Sequence, residues 1–265
     1  MTLRKARDLY PAKVGVVDGD RTFTYARIGE RVNSLARFFQ TRDIKPRDRI
    51  SILEVNSLAF LETYYAAAGI GAILNPLNYR LAPQEIAYIL RDSGSRWLVA
   101  GSRFASLVKG ILDEDTPLEG ILQIGDSPSF SEGITCYEYE NMIHRHAGIF
   151  EPVAIREDDV AHLYYTSGTT GRPKGVMLTH KNVCFHALGT IAELKLTDSD
   201  IWGHIAPMFH LADAWAAFAI TWVGGCHVMV AQFEAEAVMA TIERERITLS
   251  NMIPTMLNLM IKHPK

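Results

Sequence analysis

The sequence predicts a layered α/β fold, with mostly parallel sheets flanked by helices. Helix-period and strand-like patterns alternate from one end of the 265 residues to the other, the pattern of a parallel sheet covered by helices. Helix starts and stops are punctuated by proline and glycine, as at Pro83 and Gly94. No internal repeat or low-complexity stretch interrupts the alternation, so a single domain over residues 1–265 is expected.

Taken in order, Thr24 is placed to cap a helix whose apolar face is Ile28, Val32, Leu35, Ala36 and Phe39. A strand at Ile50-Ser51-Ile52-Leu53 follows, then a helix from about Ser57 to Ala68. Pro83 suits a first helical turn, and Ile86, Ile89 and Leu90 form one face. Gly94 stops that helix before the strand Trp97-Leu98-Val99-Ala100. A further α/β step reaches Ile121-Leu122-Gln123-Ile124, and Gly125 to Gly133 reads as a surface loop.

Between Ala214 and Ala231 there is no Asp, Glu, Lys or Arg and only one histidine, His227, close to the length of a membrane span. Gly224 and Gly225 divide this stretch, however, into an apolar helix and a β-rich run from Cys226 to Val230. That division predicts a buried helix-strand pair and no transmembrane segment.

With 48% hydrophobic and 22% charged residues, the chain has the composition of a globular protein and is long enough to bury a sizeable core. Its formal net charge is −3 and its basic residues are scattered, so no nucleic-acid partner is expected. The N-terminus begins with Arg4, Lys5, Arg7 and Asp8 and lacks the apolar core of a secretory signal. Cys136, Cys184 and Cys226 fit neither a disulfide framework nor a zinc site, so a reducing compartment, the cytoplasm, is the expectation.

The chemistry concentrates after the apolar run Val160 to Tyr165. There the chain reads Thr166-Ser167-Gly168-Thr169-Thr170-Gly171-Arg172-Pro173-Lys174-Gly175, followed by strand-like Val176-Met177-Leu178. Three glycines let the backbone turn N–H groups toward an anion, four hydroxyls add donors, and Lys174 adds a positive charge. Polyphosphate is the natural ligand. A generic hairpin loop would use similar turn residues, and a Walker-type loop would require Gly-Lys followed by Ser or Thr. Here Pro173 precedes Lys174 and Gly175 follows it, so the Walker pattern does not fit.

At these residues the chain resembles the adenylate-forming superfamily, which includes acyl-CoA synthetases, aryl-CoA ligases, luciferases and peptide-synthetase adenylation domains. The likeness extends upstream to Gly71-Ala72-Ile73-Leu74-Asn75-Pro76-Leu77-Asn78 and downstream to Pro207-Met208-Phe209-His210. It implies that the chain is a partial N-terminal AMP-binding domain of an acyl-CoA synthetase type enzyme. The adenine- and ribose-binding segments, a magnesium-associated glutamate and a small C-terminal domain would lie beyond Lys265. Exposed apolar surface near that end, with self-association to cover it, is a corollary.

The implied reaction joins a small-molecule carboxylic acid to ATP, giving an acyl-adenylate and magnesium pyrophosphate, and then a thioester with CoA. By the resemblance, Thr166, Ser167, Gly168, Thr169, Thr170, Gly171 and Lys174 hold the β- and γ-phosphates, and Lys174 also serves catalysis. Met208, Phe209 and His210 line the acyl pocket, where His210 orients the carboxylate. A core aromatic beside a hydrogen-bonded histidine is the plainer alternative for that pair.

Amino-acid-activating relatives carry an aspartate where His210 stands, so the resemblance implies a simple acid. The apolar Met208, Phe209, Trp215 and Phe218 suggest a fatty or other hydrophobic one, although Trp215 and Phe218 also read as plain core. Asp213 reads as a helix-capping or solvated carboxylate. His144 and His146, with no third ligand nearby, read as exposed helix residues, and no metal site is assigned. A luciferase-like or amino-acid-activating relative, and a non-catalytic truncated nucleotide-binding module, remain the alternatives. The chain by itself is expected to be inactive.

Overall fold

The computed structural model describes residues 2–126, 130, 133–166 and 172–264. In chain order the first elements are α1 (Thr2–Leu9), β1 (Val14–Asp18), β2 (Arg21–Thr24), α2 (Tyr25–Thr41), β3 (Arg49–Leu53), α3 (Leu58–Gly69), β4 (Ile73–Pro76) and α4 (Pro83–Ser93). Next come β5 (Trp97–Gly101), α5 (Ala105–Leu112), β6 (Gly120–Ile124), β7 (Thr135–Glu138), α6 (Tyr139–Arg145), β8 (Val160–Thr166) and β9 (Lys174–Thr179). The last are α7 (His180–Leu194), β10 (Ile201–His204), α8 (Leu211–Val223), β11 (Cys226–Met229), α9 (Ala235–Glu245), β12 (Leu249–Ser250) and α10 (Pro254–Ile261).

The local signals act as their chemistry requires. Thr24 Oγ1 accepts a hydrogen bond from Arg27 N at 3.3 Å and so caps the start of α2. Ser57 Oγ accepts from Phe60 N at 3.2 Å at the start of α3. In α4, Pro83 occupies the first turn, Glu85 accepts from Ala82 N at 2.8 Å, and Gly94 ends the helix in the left-handed region at φ 64°.

These elements form two compact units, one comprising Met1–Gly29, Val55–Leu61 and Val183–Lys265, the other Glu30–Glu54 and Glu62–Asn182. The first unit's sheet runs β12-β10-β11-β1-β2, parallel throughout except for the β1–β2 pair. The second unit's sheet runs β7-β6-β5-β3-β4-β8-β9, parallel throughout except for β8–β9. The mixed α/β architecture with mostly parallel sheets is therefore the one the alternation predicts.

In the second unit, Leu53, Leu98, Ala100 and Ile121 pack under Ile86, Leu90, Val108 and Ile111. Each fully buried aliphatic side chain of this kind contributes roughly 1.5–3 kcal/mol. A buried polar cluster crosses the same unit: Arg31 Nε bonds Glu62 Oε1 at 2.5 Å, Arg31 Nη1 bonds Glu140 Oε2 at 2.7 Å, and Tyr139 donates to Glu62 Oε2 at 2.7 Å. Burial raises the Glu62 carboxyl above its ordinary range, and Arg31 and Tyr139 only partly offset that effect.

In the first unit the apolar stretch after Ala214 is a helix-strand pair. Helix α8 ends at Val223, Gly224 turns the chain at φ 80°, and β11 follows. A Cβ at Gly224 would come within 2.4 Å of the Tyr10 ring, so both conformation and space call for glycine there. Among the described residues no helix is long and apolar enough to cross a membrane. Apolar side chains do lie open to solvent on α10, with Leu259 at 55% and Ile261 at 80% exposure. The loop expected over Gly125 to Gly133 begins with Gly125 at φ 84°, and residues 127–129 and 131–132 lie outside the described residues.

Candidate active site

The phosphate-loop candidate is mounted on a β-hairpin. Strand β8 buries Ala161, His162 and Tyr164 and leaves Thr166 exposed at its end, where the hydroxyl- and glycine-rich sequence begins. Strand β9 starts at Lys174 and pairs antiparallel with it, in the register Tyr165↔Gly175 and Thr166↔Lys174. Thr166 and Lys174 are thus cross-strand partners at the mouth of the hairpin, both exposed. Ser167, Gly168, Thr169, Thr170 and Gly171 lie outside the described residues.

Two features hold this mouth in place. A Cβ on Gly175 would approach Leu163 Cδ1 at 2.8 Å and Tyr165 Cζ at 3.1 Å, so the glycine lets these two β8 side chains lie close over β9. Tyr165 OH donates to Asp92 Oδ2 at 2.6 Å, tying β8 to the end of α4. Partial burial, and then the neighbouring Asp92 carboxylate, push the Tyr165 phenol above its ordinary range, so it stays a neutral donor. Three residues before Tyr165 on β8, His162 is buried, and its pKa is held down at about 3 by desolvation and by His180.

The acyl-segment candidate lies in the first unit, between β10 and α8. Pro207 O accepts from His210 N at 3.0 Å to close a turn, and His210 O accepts the first helical bonds of α8, from Asp213 N and Ala214 N. Met208 is fully buried, Phe209 is buried, and His210 is exposed, with its ring 4.4 Å from that of Phe209. Phe218 is buried core on α8, while Trp215 packs edge-on against Trp202 at 4.8 Å.

Asp213 departs from the sequence reading. It is neither a cap nor solvated: its carboxylate is fully buried, accepting from Trp202 Nε1 at 3.2 Å and lying 2.5 Å from His204 Nδ1. His204 Nε2 is 2.9 Å from His227 Nδ1, and His227 Nε2 is 2.9 Å from Thr221 Oγ1. The two imidazoles stack with centroids 5.2 Å apart. The parallel register Trp202↔His227 puts Trp202, His204 and His227 on the sheet face that meets α8, so one carboxylate organises a four-residue polar chain inside an apolar layer. Burial, and then His204, hold His227 well below the ordinary histidine range.

Asn56 also escaped sequence reasoning. Its side-chain amide donates to His204 O at 2.7 Å and Ala206 O at 2.8 Å and accepts from Met208 N at 2.7 Å. Nothing local in the sequence marks it, because its partners lie about 150 positions away. Of the H-x-H pair, only His144 is the exposed helix residue the sequence suggested, and His146 follows the helix end. His144 is exposed on α6, while His146 is half-buried with its Nδ1 3.0 Å from Met142 O. No group of three or more His, Cys, Asp or Glu that could hold a metal occurs among the described residues.

The family described as AMP-binding enzyme matches residues 3–265. The chain belongs to that family. Among AMP-binding enzymes it is similar to the crotonobetaine/carnitine–CoA ligase of Salmonella paratyphi C (strain RKS4594), at 31% identity over 92% of this chain and 47% of the relative. The chain thus spans about half the length of the curated relatives it matches. Among solved AMP-binding structures, the inhibitor-bound N-terminal domain of FACL13 from Mycobacterium tuberculosis superposes with a TM-score of 0.87 at 30% identity, covering 99% of this chain and 64% of that one. The o-succinylbenzoate CoA synthetase of Bacillus subtilis, in complex with its acyl-adenylate intermediate, superposes with a TM-score of 0.82 at 25% identity, covering 99% and 64%.

Proposed function

We propose that this chain is the phosphate-gripping and acid-recognising part of an AMP-forming carboxylic acid–CoA ligase. The observation that carries the reading is the pairing of Thr166 with Lys174 across β8 and β9, which brings a hydroxyl and an ammonium to the mouth of the motif loop. In the proposed reaction a carboxylate oxygen attacks the α-phosphorus of ATP, the bond from that phosphorus to the α,β-bridging oxygen breaks, and pyrophosphate leaves with the electron pair. Charge grows on that leaving group, so donors already aimed at it lower the barrier. Lys174, Thr166 and the loop residues Ser167, Gly168, Thr169, Thr170 and Gly171 are assigned that role. The CoA thiolate then displaces AMP from the acyl carbon.

On the acid side, Phe209 and His210 are assigned to the carboxylate end and the apolar surroundings of Met208 to the chain, with a fatty or other hydrophobic acid as substrate. Magnesium is assigned as the counterion of ATP and pyrophosphate. The reading treats both units as parts of one N-terminal domain, acting in the cytoplasm. It also assigns to the exposed apolar face of α10 a role in association, with the rest of the protein or with a second copy.

The test is product analysis. Full-length protein incubated with ATP, CoA and a hydrophobic acid is expected to yield AMP, pyrophosphate and the thioester in equal amounts. Formation of ADP and phosphate instead would rule out the adenylating reaction. The 265-residue chain alone is expected to give no acyl-adenylate, because the α-phosphate must be held to within about 1 Å and the loop grips only the far end of ATP.

A further inference from the structure

The segment that joins β10 to α8 is held by a side chain from elsewhere in its own unit. Asn56 follows β3 in sequence and is buried, with 5% exposure. It spends its amide on backbone of the segment alone, giving hydrogens to His204 O and Ala206 O and taking one from Met208 N. These bonds, at 2.7, 2.8 and 2.7 Å, fix three alternate positions of an irregular stretch whose own regular pairing ends at His204. A planar amide bonded at both ends leaves little room for the held backbone to slide or rotate. The last residue held, Met208, is the neighbour of Phe209. From the other side, Asp213 fixes the His204 ring at 2.5 Å. The turn bearing Phe209 and His210 therefore starts from a backbone braced at His204, Ala206 and Met208 and runs into the first turn of α8.

We propose that Asn56 is a positioning residue for acid recognition: it sets the Pro207–His210 turn so that Phe209 and His210 meet the substrate carboxylate. This rests on the ligase reading above. Removing the amide would leave the turn's backbone groups unsatisfied and let it relax, which displaces the acid-binding side chains. The phosphate-gripping residues Thr166 and Lys174 belong to the other unit's sheet and have no bond to Asn56 among those that hold the turn. Misplacement of reacting groups by about 1 Å can cost on the order of a hundredfold in rate. The expected signature is thus selective for the acid.

The experiment uses full-length protein and its Asn56→Ala and Asn56→Gln variants. Asn56→Gln keeps donors and acceptor but displaces the turn by one methylene, and it is read alone if Asn56→Ala is insoluble. Acid-dependent exchange of labelled pyrophosphate into ATP is measured with octanoate and ATP titrated separately. The proposal predicts that the KM for octanoate rises about tenfold or more while the KM for ATP stays within about twofold. A role in folding alone would lower the melting temperature and the active fraction and leave both KM values in place, and that result would overturn the proposal. A proportional rise in both KM values would overturn it as well. Absence of exchange in the parent, with every acid tried, would instead retract the ligase reading and the proposal with it.

Discussion

The Asp213 carboxylate and the His204 imidazole lie 2.5 Å apart, with no exposed surface on either. Asp213 also accepts from Trp202 Nε1, so removing it strands two buried donors at once. Leaving a buried donor without its acceptor costs about 1–3 kcal/mol, and more where the lost partner was charged. Asp213→Ala is expected to lower unfolding stability by about 3 kcal/mol, and Asp213→Asn, which keeps one acceptor, by less. Urea denaturation followed by tryptophan fluorescence checks this, since Trp202 reports directly on the site. An Asp213→Ala protein as stable as the parent would show that the carboxylate does not hold the layer together.

Two buried histidines give stability a definite pH dependence. His162 is depressed to about 3 by burial and by His180, and His227 is depressed by burial and by His204. Below the ordinary histidine value of about 6.5 the unfolded chain takes up protons at both positions while the folded protein does not, so stability falls as pH falls through that window. Each such histidine costs roughly 1.4 kcal/mol per pH unit once the pH is well below 6.5. Denaturant midpoints at pH 7.5 and pH 5 are expected to differ, and His162→Gln is expected to reduce the difference. An equal pH slope in parent and variant would contradict the assignment to His162.

The proposed apolar acid site makes a graded prediction for full-length protein. Each methylene buried contributes about 0.8 kcal/mol, which is about fourfold in kcat/KM. A series of straight-chain acids from acetate upward is expected to climb by that factor per carbon until the pocket is full, then level or fall. Equal kcat/KM for acetate and octanoate would remove the hydrophobic-acid reading and leave the ligase reading standing.

What could be read from sequence was local, and what could not was long-range. Thr24, Pro83 and Gly94 act on backbone groups within four residues, and each does what its chemistry dictates. Gly224 and Gly225 correctly divided an apolar stretch into helix and strand because a left-handed residue there ends a helix whatever surrounds it. Asp213 was misread because periodicity tells which residues share a face but not that His204, nine positions back, and His227, fourteen ahead, converge on the same layer. Asn56 carried no signal, since its partner Met208 is 152 positions away. The segment from Thr166 to Gly175 stood out in the sequence through its glycines, hydroxyls and lysine, and the antiparallel pairing of the strands on either side emerges only from the β8–β9 register.

The most direct measurement is acid-dependent exchange of labelled pyrophosphate into ATP by full-length protein, parent against Lys174→Ala. Lys174 stands opposite Thr166 at the mouth of the hairpin and is proposed to donate to the departing pyrophosphate. Loss of one charge-assisted donor aimed at developing charge commonly costs about 3 kcal/mol, on the order of a hundredfold in rate. A loss of that size in the exchange rate is expected, with the melting temperature of the exposed-site variant unchanged. Exchange by Lys174→Ala at the parental rate would contradict the claim that this hairpin mouth drives adenylation.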